Sequence, residues 1–114
     1  MKKILLLIVL FTFSVQAEAQ TKKDKNAKHT VGVSGNCEMC KKRIEKAAFL
    51  VKGVKSAVWH ADHQDIHLVI DENKCTVEDV QKAIAAVGHD TDLVKADDAV
   101  YEKIHGCCQY ERKP

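Results

Sequence analysis

The sequence predicts an α+β fold in which two helices cover one face of a four-stranded antiparallel sheet, in the order β-α-β-β-α-β. Three observations lead there. Apolar residues alternate at period two in short runs around Val31, Val54 and Ile66. They recur at helical spacing after Glu38 and again after Thr76. The two kinds of run interleave along the chain, so the helices must return to a shared sheet.

Each element has its own local cause. His29 to Ser34 alternates with Val31 and Val33 on one side and predicts the first strand, which Gly35 and Asn36 break. From Glu38 onward Cys40, Ile44, Ala47, Ala48 and Val51 share a helical face, with Lys41, Lys42, Arg43 and Lys46 mostly off it; Gly53 closes the helix. Val54 to His60 predicts the second strand, Ala61 to Gln64 a turn, and Asp65 to Asp71 the third strand. Thr76 and Asp79 form a capping box with Asp in place of the usual Glu. Val77, Val80, Ile84 and Val87 are the stripe of the second helix, closed by Gly88, and Thr91 to Lys95 supplies a last strand. This is the ferredoxin-like sandwich, a small core of modest stability unless metal or a disulfide adds to it.

The 114 residues leave room for one domain, residues 29–95, with additions at both ends. Lys2 and Lys3, the apolar run Ile4 to Phe13 and the small-x-small Ala17-Glu18-Ala19 have the layout of a secretory signal peptide, residues 1–19, cleaved near Ala19. A periplasmic or secreted protein is therefore expected. Residues 20–28 read as a flexible basic lead-in, and residues 96–114 as a C-terminal extension. In that extension Asp97 to Ile104 forms two helical turns before His105-Gly106-Cys107-Cys108. Without Lys2, Lys3 and Glu18, the 18 basic and 16 acidic residues become 16 and 15. That near balance builds no field for nucleic acid or anionic lipid.

Cysteine carries the chemistry. Cys37 and Cys40 stand where a strand hands over to a helix, so two thiols at i and i+3 face one point. Unpaired N–H groups at the helix start favour thiolate there, and Lys41 and Lys42 add positive charge nearby. Paired thiolates are soft ligands that suit Cu(I), Ag(I) or Hg(II), whereas Zn(II) asks for four ligands. Cys37 and Cys40 are thus the candidate metal ligands, with Cu(I) the favoured ion. No acid/base pair, nucleophile triad or phosphate loop points to an enzyme.

The segments Val31-Gly-Val-Ser-Gly-Asn-Cys-Glu-Met-Cys-Lys-Lys-Arg-Ile-Glu-Lys-Ala47, Gly53-Val-Lys-Ser-Ala57, Thr76-Val-Glu-Asp-Val-Gln-Lys-Ala-Ile84 and Val87-Gly-His89 resemble a heavy-metal-associated domain. They are similar to copper chaperones, to the metal-binding domains of copper-exporting P-type ATPases and to the periplasmic mercury-binding protein. The resemblance implies that Cys37 and Cys40 hold the ion and pass it on by ligand exchange. It implies a recipient such as a metal-transporting P-type ATPase or another membrane transporter, and a monomer or a metal-bridged dimer. Where the family usually has Gly-Met-Thr-Cys, this chain has Ser34-Gly35-Asn36-Cys37, which implies a loop without its usual Met prop. Zinc-preferring relatives carry Asp before the first Cys; neutral Asn36 tilts the choice towards Cu(I).

The predicted topology puts His89, His60 and His63 at the same end as Cys37 and puts Cys75 at the other. His89 is a candidate third ligand or proton donor, its alternative an exposed turn residue; His60 and His63 read as hairpin decoration. Three readings compete for Cys107 and Cys108. They fold back to extend the site with His105, form a second soft-metal site, or supply a bridge to Cys75. Twelve residues from Lys95 reach at most about 40 Å, so a return is allowed but not forced. Two rival functions remain: a thiol–disulfide redox protein, though the only proline, Pro114, cannot supply the cis-Pro of thioredoxin-like enzymes, and a mercury-binding protein of a detoxification system.

Overall fold

The computed structural model describes residues 23–113. The signal-peptide reading of residues 1–19 and the start of the lead-in lie outside them. Three strands form one antiparallel sheet in the order β1-β3-β2: β1 (Ala27–Gly32), β2 (Val54–His60) and β3 (Asp65–Ile70). The helices are α1 (Glu38–Phe49), α2 (Val77–Ala86) and a short α3 (Asp98–Lys103), followed by a 3-10 turn at Gly106–Cys108.

Burial follows the patterns that produce the elements. Val31, Ile66 and Trp59 lie opposite one another across the three strands, and Leu68 stands opposite Ala57, all buried towards the helices. Cys40, Ile44, Ala47 and Ala48 of α1 meet this face, as do Val80 and Ile84 of α2. The capping box at the start of α2 is formed: the Asp79 N–H donates to Thr76 Oγ1 at 3.1 Å, and the Thr76 N–H donates to Asp79 Oδ2 at 2.9 Å. Gly53 and Gly88 take φ of 108° and 107°, which glycine adopts at little cost; Gly88 directly follows the α2 C-cap Val87, whereas α1 already ends at its C-cap Leu50 and Gly53 lies in the turn that leads into β2.

The fourth strand is not formed. Thr91 to Lys95 keeps a single antiparallel bridge, Val33 to Thr91. The segment turns on itself instead: the Thr91 N–H donates to Val94 O at 2.8 Å, and the Val94 N–H donates to Thr91 Oγ1 at 3.0 Å. Asp92 takes the place of a strand partner by accepting the Gly32 N–H at 2.7 Å. Side-chain hydrogen bonds from Thr and Asp compete here with the ladder and win.

The end of the lead-in is tied down rather than free, because the Asp24 N–H donates to Glu72 Oε1 and the Glu72 N–H to Asp24 O. Among the described residues no helix is long and apolar enough to cross a membrane.

Candidate metal centre

Cys37 caps α1 in extended conformation, with φ −149° and ψ 172°, and Cys40 sits on the first turn. The loop before them is held from two sides. Gln64, itself at a positive φ of 54°, accepts the Val33 N–H on its carbonyl at 2.9 Å and the Gly35 N–H on Oε1 at 3.0 Å. Beneath Gly35 lies the indole of Trp59, so close that a Cβ at position 35 would meet it at 3.0 Å. Trp59 is buried, and its Nε1 donates to Val33 O at 3.0 Å. The missing Met prop is therefore replaced by an aromatic ring from β2.

The extension returns to this loop. Cys108 is fully buried, with its Sγ 2.9 Å from that of Cys37, and the Sγ of Cys40, also fully buried, lies 3.2 Å from Cys37. The ligand atoms of Cys37, Cys40 and Cys108 all lie within 4.8 Å of one another. Exposed Cys107 stands 3.8 Å from Cys37, and its sulfur is 3.7 Å from Met39 Sδ. All five cysteines are free thiols. Three thiolates at bonds of about 2.3 Å around one ion would stand ~4 Å apart. The cluster therefore admits a cation by opening slightly.

The thiols are unequal. Burial works against ionisation of Cys37, yet hydrogen bonds from Cys108, Cys40 and Cys107 outweigh it and bring the thiol down to about 7. Burial pushes Cys40 up to about 12. Cys107, hydrogen-bonded to Cys37, is raised to about 11. Of these three thiols Cys37 gives up its proton most readily, and its sulfur lies within 3.8 Å of each of the others in the cluster.

A clasp from the extension fixes Cys108. The Tyr110 hydroxyl accepts the Asp90 N–H and donates to Gly88 O, both at 2.8 Å. Its ring stacks on His89 at 5.5 Å and meets Tyr101 of α3 edge-on at 5.0 Å. Arg112 holds both oxygens of Asp90 at 2.9 and 3.0 Å, reaches Asp98 at 2.7 Å and donates to Ala96 O at 2.7 Å.

Burial alone would raise the Asp90 carboxyl, but its bonds from Arg112 and the Ala96 N–H hold it below the usual carboxylate range. That contribution to stability is full above the unfolded carboxylate value of about 4 and is lost as pH falls through the lower folded value. Arg112→Ala should therefore destabilise the chain at neutral pH. The gap in unfolding free energy from the unmodified chain should close on acidification below about pH 4, as read by denaturant titration at several pH values.

His89 takes neither role expected of it. It is fully buried, not exposed, and outside the sulfur cluster. Its Nδ1 lies 2.8 Å from Ser34 O, which can only accept, so Nδ1 carries the proton and Nε2 faces Arg43 at 3.5 Å. Burial depresses its basicity and outweighs the Ser34 bond, which favours the charged ring. Nδ1 fastens the loop before Cys37 to the end of α2, and Nε2 faces Arg43 of α1. His60 borders the shallow hollow beside Cys37, about 410 Å3 in volume, and packs on His67 at 4.5 Å. Cys75 lies buried beside Gly53. Both tail cysteines stand beside Cys37, so the structure forms no Cys75 bridge.

Tyr110, Arg112, Gln64 and Trp59 escape the sequence reading. Only Trp59 leaves a local trace, as an inward position of β2 two residues after Ala57.

No protein-family profile matches the chain. It is 33% identical over 61 residues to the copper chaperone CopZ of Staphylococcus haemolyticus, covering 53% of this chain and 90% of that protein. The chain belongs to the heavy-metal-associated domain family. Among solved structures, a CopZ metallochaperone superposes with a TM-score of 0.55 at 27% identity, over 57% of this chain and 98% of the other. A copper-binding domain from HMA7, a P-type ATPase, gives 0.55 at 30% identity, over 57% and 89%. Oxidised MerP from Ralstonia metallidurans CH34 gives 0.51 at 26%, over 58% and 96%. Each of these matches covers little more than half of this chain.

Proposed function

We propose that this protein is an exported carrier of a thiophilic metal ion, Cu(I) before others, held by Cys37, Cys40 and Cys108 and released by thiolate exchange. One observation carries the reading. Two sulfurs at a helix start and a third from the extension converge within 4.8 Å, in a chain related to copper chaperones. An all-sulfur, low-coordinate set suits a soft monovalent ion and leaves Zn(II) one ligand short.

Three sulfurs from one chain satisfy the ion without a second copy, which favours a monomer. The signal-peptide layout of residues 1–19 supports a carrier that works outside the cytoplasm. Its relatives' names suggest a P-type ATPase or a similar membrane transporter as recipient. A low thiol at Cys37 beside a high one at Cys40 also suits disulfide exchange. The third thiol packed on Cys37 favours a cation cage instead.

Competition titrations on reduced protein test this. The chain should take Cu(I) from a Cu(I)-selective chelator, hold Ag(I) and Hg(II) as well, and bind Zn(II) far more weakly. Zn(II) binding as tight as Cu(I), or failure to hold any of the soft ions, would overturn it.

A further inference from the structure

Cys107 and Met39 are left over once the three converging thiols are assigned. Cys107 Sγ lies 3.8 Å from Cys37 Sγ and 3.7 Å from Met39 Sδ. Both side chains are open to solvent, Met39 being 43% exposed. Cys37 is the sulfur the two groups share: Cys40 and Cys108 lie on its buried side at 3.2 and 2.9 Å, Cys107 on its exposed side.

We propose that Cys37, Cys107 and Met39 form a second, outer site for a soft monovalent cation, joined to the inner site through the Cys37 thiolate. This rests on the reading of the inner cluster as a Cu(I) site.

Three features support it. A thiolate sulfur has lone pairs enough to bridge two soft ions. Thiolate and thioether are both ligands of the Cu(I) class. Charge also balances: three thiolates around one Cu(I) carry −2, and a second Cu(I) entering as the Cys107 thiol gives its proton to water leaves that total unchanged. No electron moves, since the ion stays Cu(I) throughout. The outer site faces solvent and the inner one does not, so the outer ion is the one a partner's thiol reaches first.

Native mass spectrometry with a chelator competition on the reduced chain, residues 20–114, tests the outer site using Cu(I) alone. The chain should hold two ions. Cys107→Ser should hold one. Met39→Leu, at an exposed position where leucine is easily accommodated, should weaken the second ion by about tenfold or more while leaving the first as it was. One ion in the unmodified chain, or an unchanged second affinity in either variant, overturns the outer site and leaves the inner one standing. No ion at all overturns the carrier reading itself.

Discussion

A chain carrying Cys37→Ser and Cys40→Ser together is expected to stay folded and to lose tight Cu(I) binding, by at least about ten-thousandfold. The magnitude takes ~100-fold per ligand as a floor, since that is the upper figure for residues that merely support a ligand. Of the three inner thiols only Cys108 remains, with exposed Cys107 3.9 Å from it, and the helix-start pair that closes around the ion is gone. Folding should survive because the core is built elsewhere, on Ile44, Trp59, Ile66, Leu68 and Ile84. Cys40→Ser places a hydroxyl in a fully buried position, beside Asn36 Oδ1 at 3.4 Å from the present sulfur, and costs roughly 1–3 kcal/mol. Circular dichroism would show the fold and a chelator competition the binding. Stoichiometric Cu(I) retained by the variant would exclude this dithiol as the site.

Tyr110→Ala is expected to release the extension and weaken Cu(I) binding by about a hundredfold without touching any sulfur. Tyr110 is 3% exposed and closes three contacts at once: Gly88 O, the Asp90 N–H and the His89 ring. Truncating a buried aromatic of this size costs roughly 3–5 kcal/mol. Most of that cost should fall on the extension, which leaves the inner site with two thiols and a loosely tethered third. Tyr110→Phe is the informative companion. It gives up only the hydroxyl bonds, about 1–2 kcal/mol, keeps the ring on His89 and should retain most of the affinity. The rate of Cys108 alkylation in the metal-free protein reads the clasp directly: fast in Tyr110→Ala, slow in Tyr110→Phe. Equal affinity in both variants and the unmodified chain would mean that Cys108 does not hold the ion.

What the sequence made legible was local. The second strand falls where alternation puts it, Val54–His60, and the box at Thr76 and Asp79 starts α2 as the residue types require. The junction holding Cys37 and Cys40 is likewise written in neighbouring residues. The rest depends on pairings between distant positions, which leave no periodicity to read. Asp90 with Arg112, Gly88 with Tyr110 and Gly35 with Trp59 are of this kind. His89 illustrates the gap: topology gives the correct end of the molecule, but its burial depends on Tyr110, twenty-one residues later in the chain. The strand expected at Thr91 to Lys95 fails for the opposite reason. There a short-range choice, Thr91 bonding to Val94, overrides a pattern that is only weakly alternating.

Trp59 is the one tryptophan of the chain, and its ring lies against the loop that presents the sulfurs. Its fluorescence therefore comes from a single indole in a single environment, next to the place where a heavy ion would sit. Emission from that ring is expected to change on loading, so that a fluorescence titration would follow occupancy in real time without a dye.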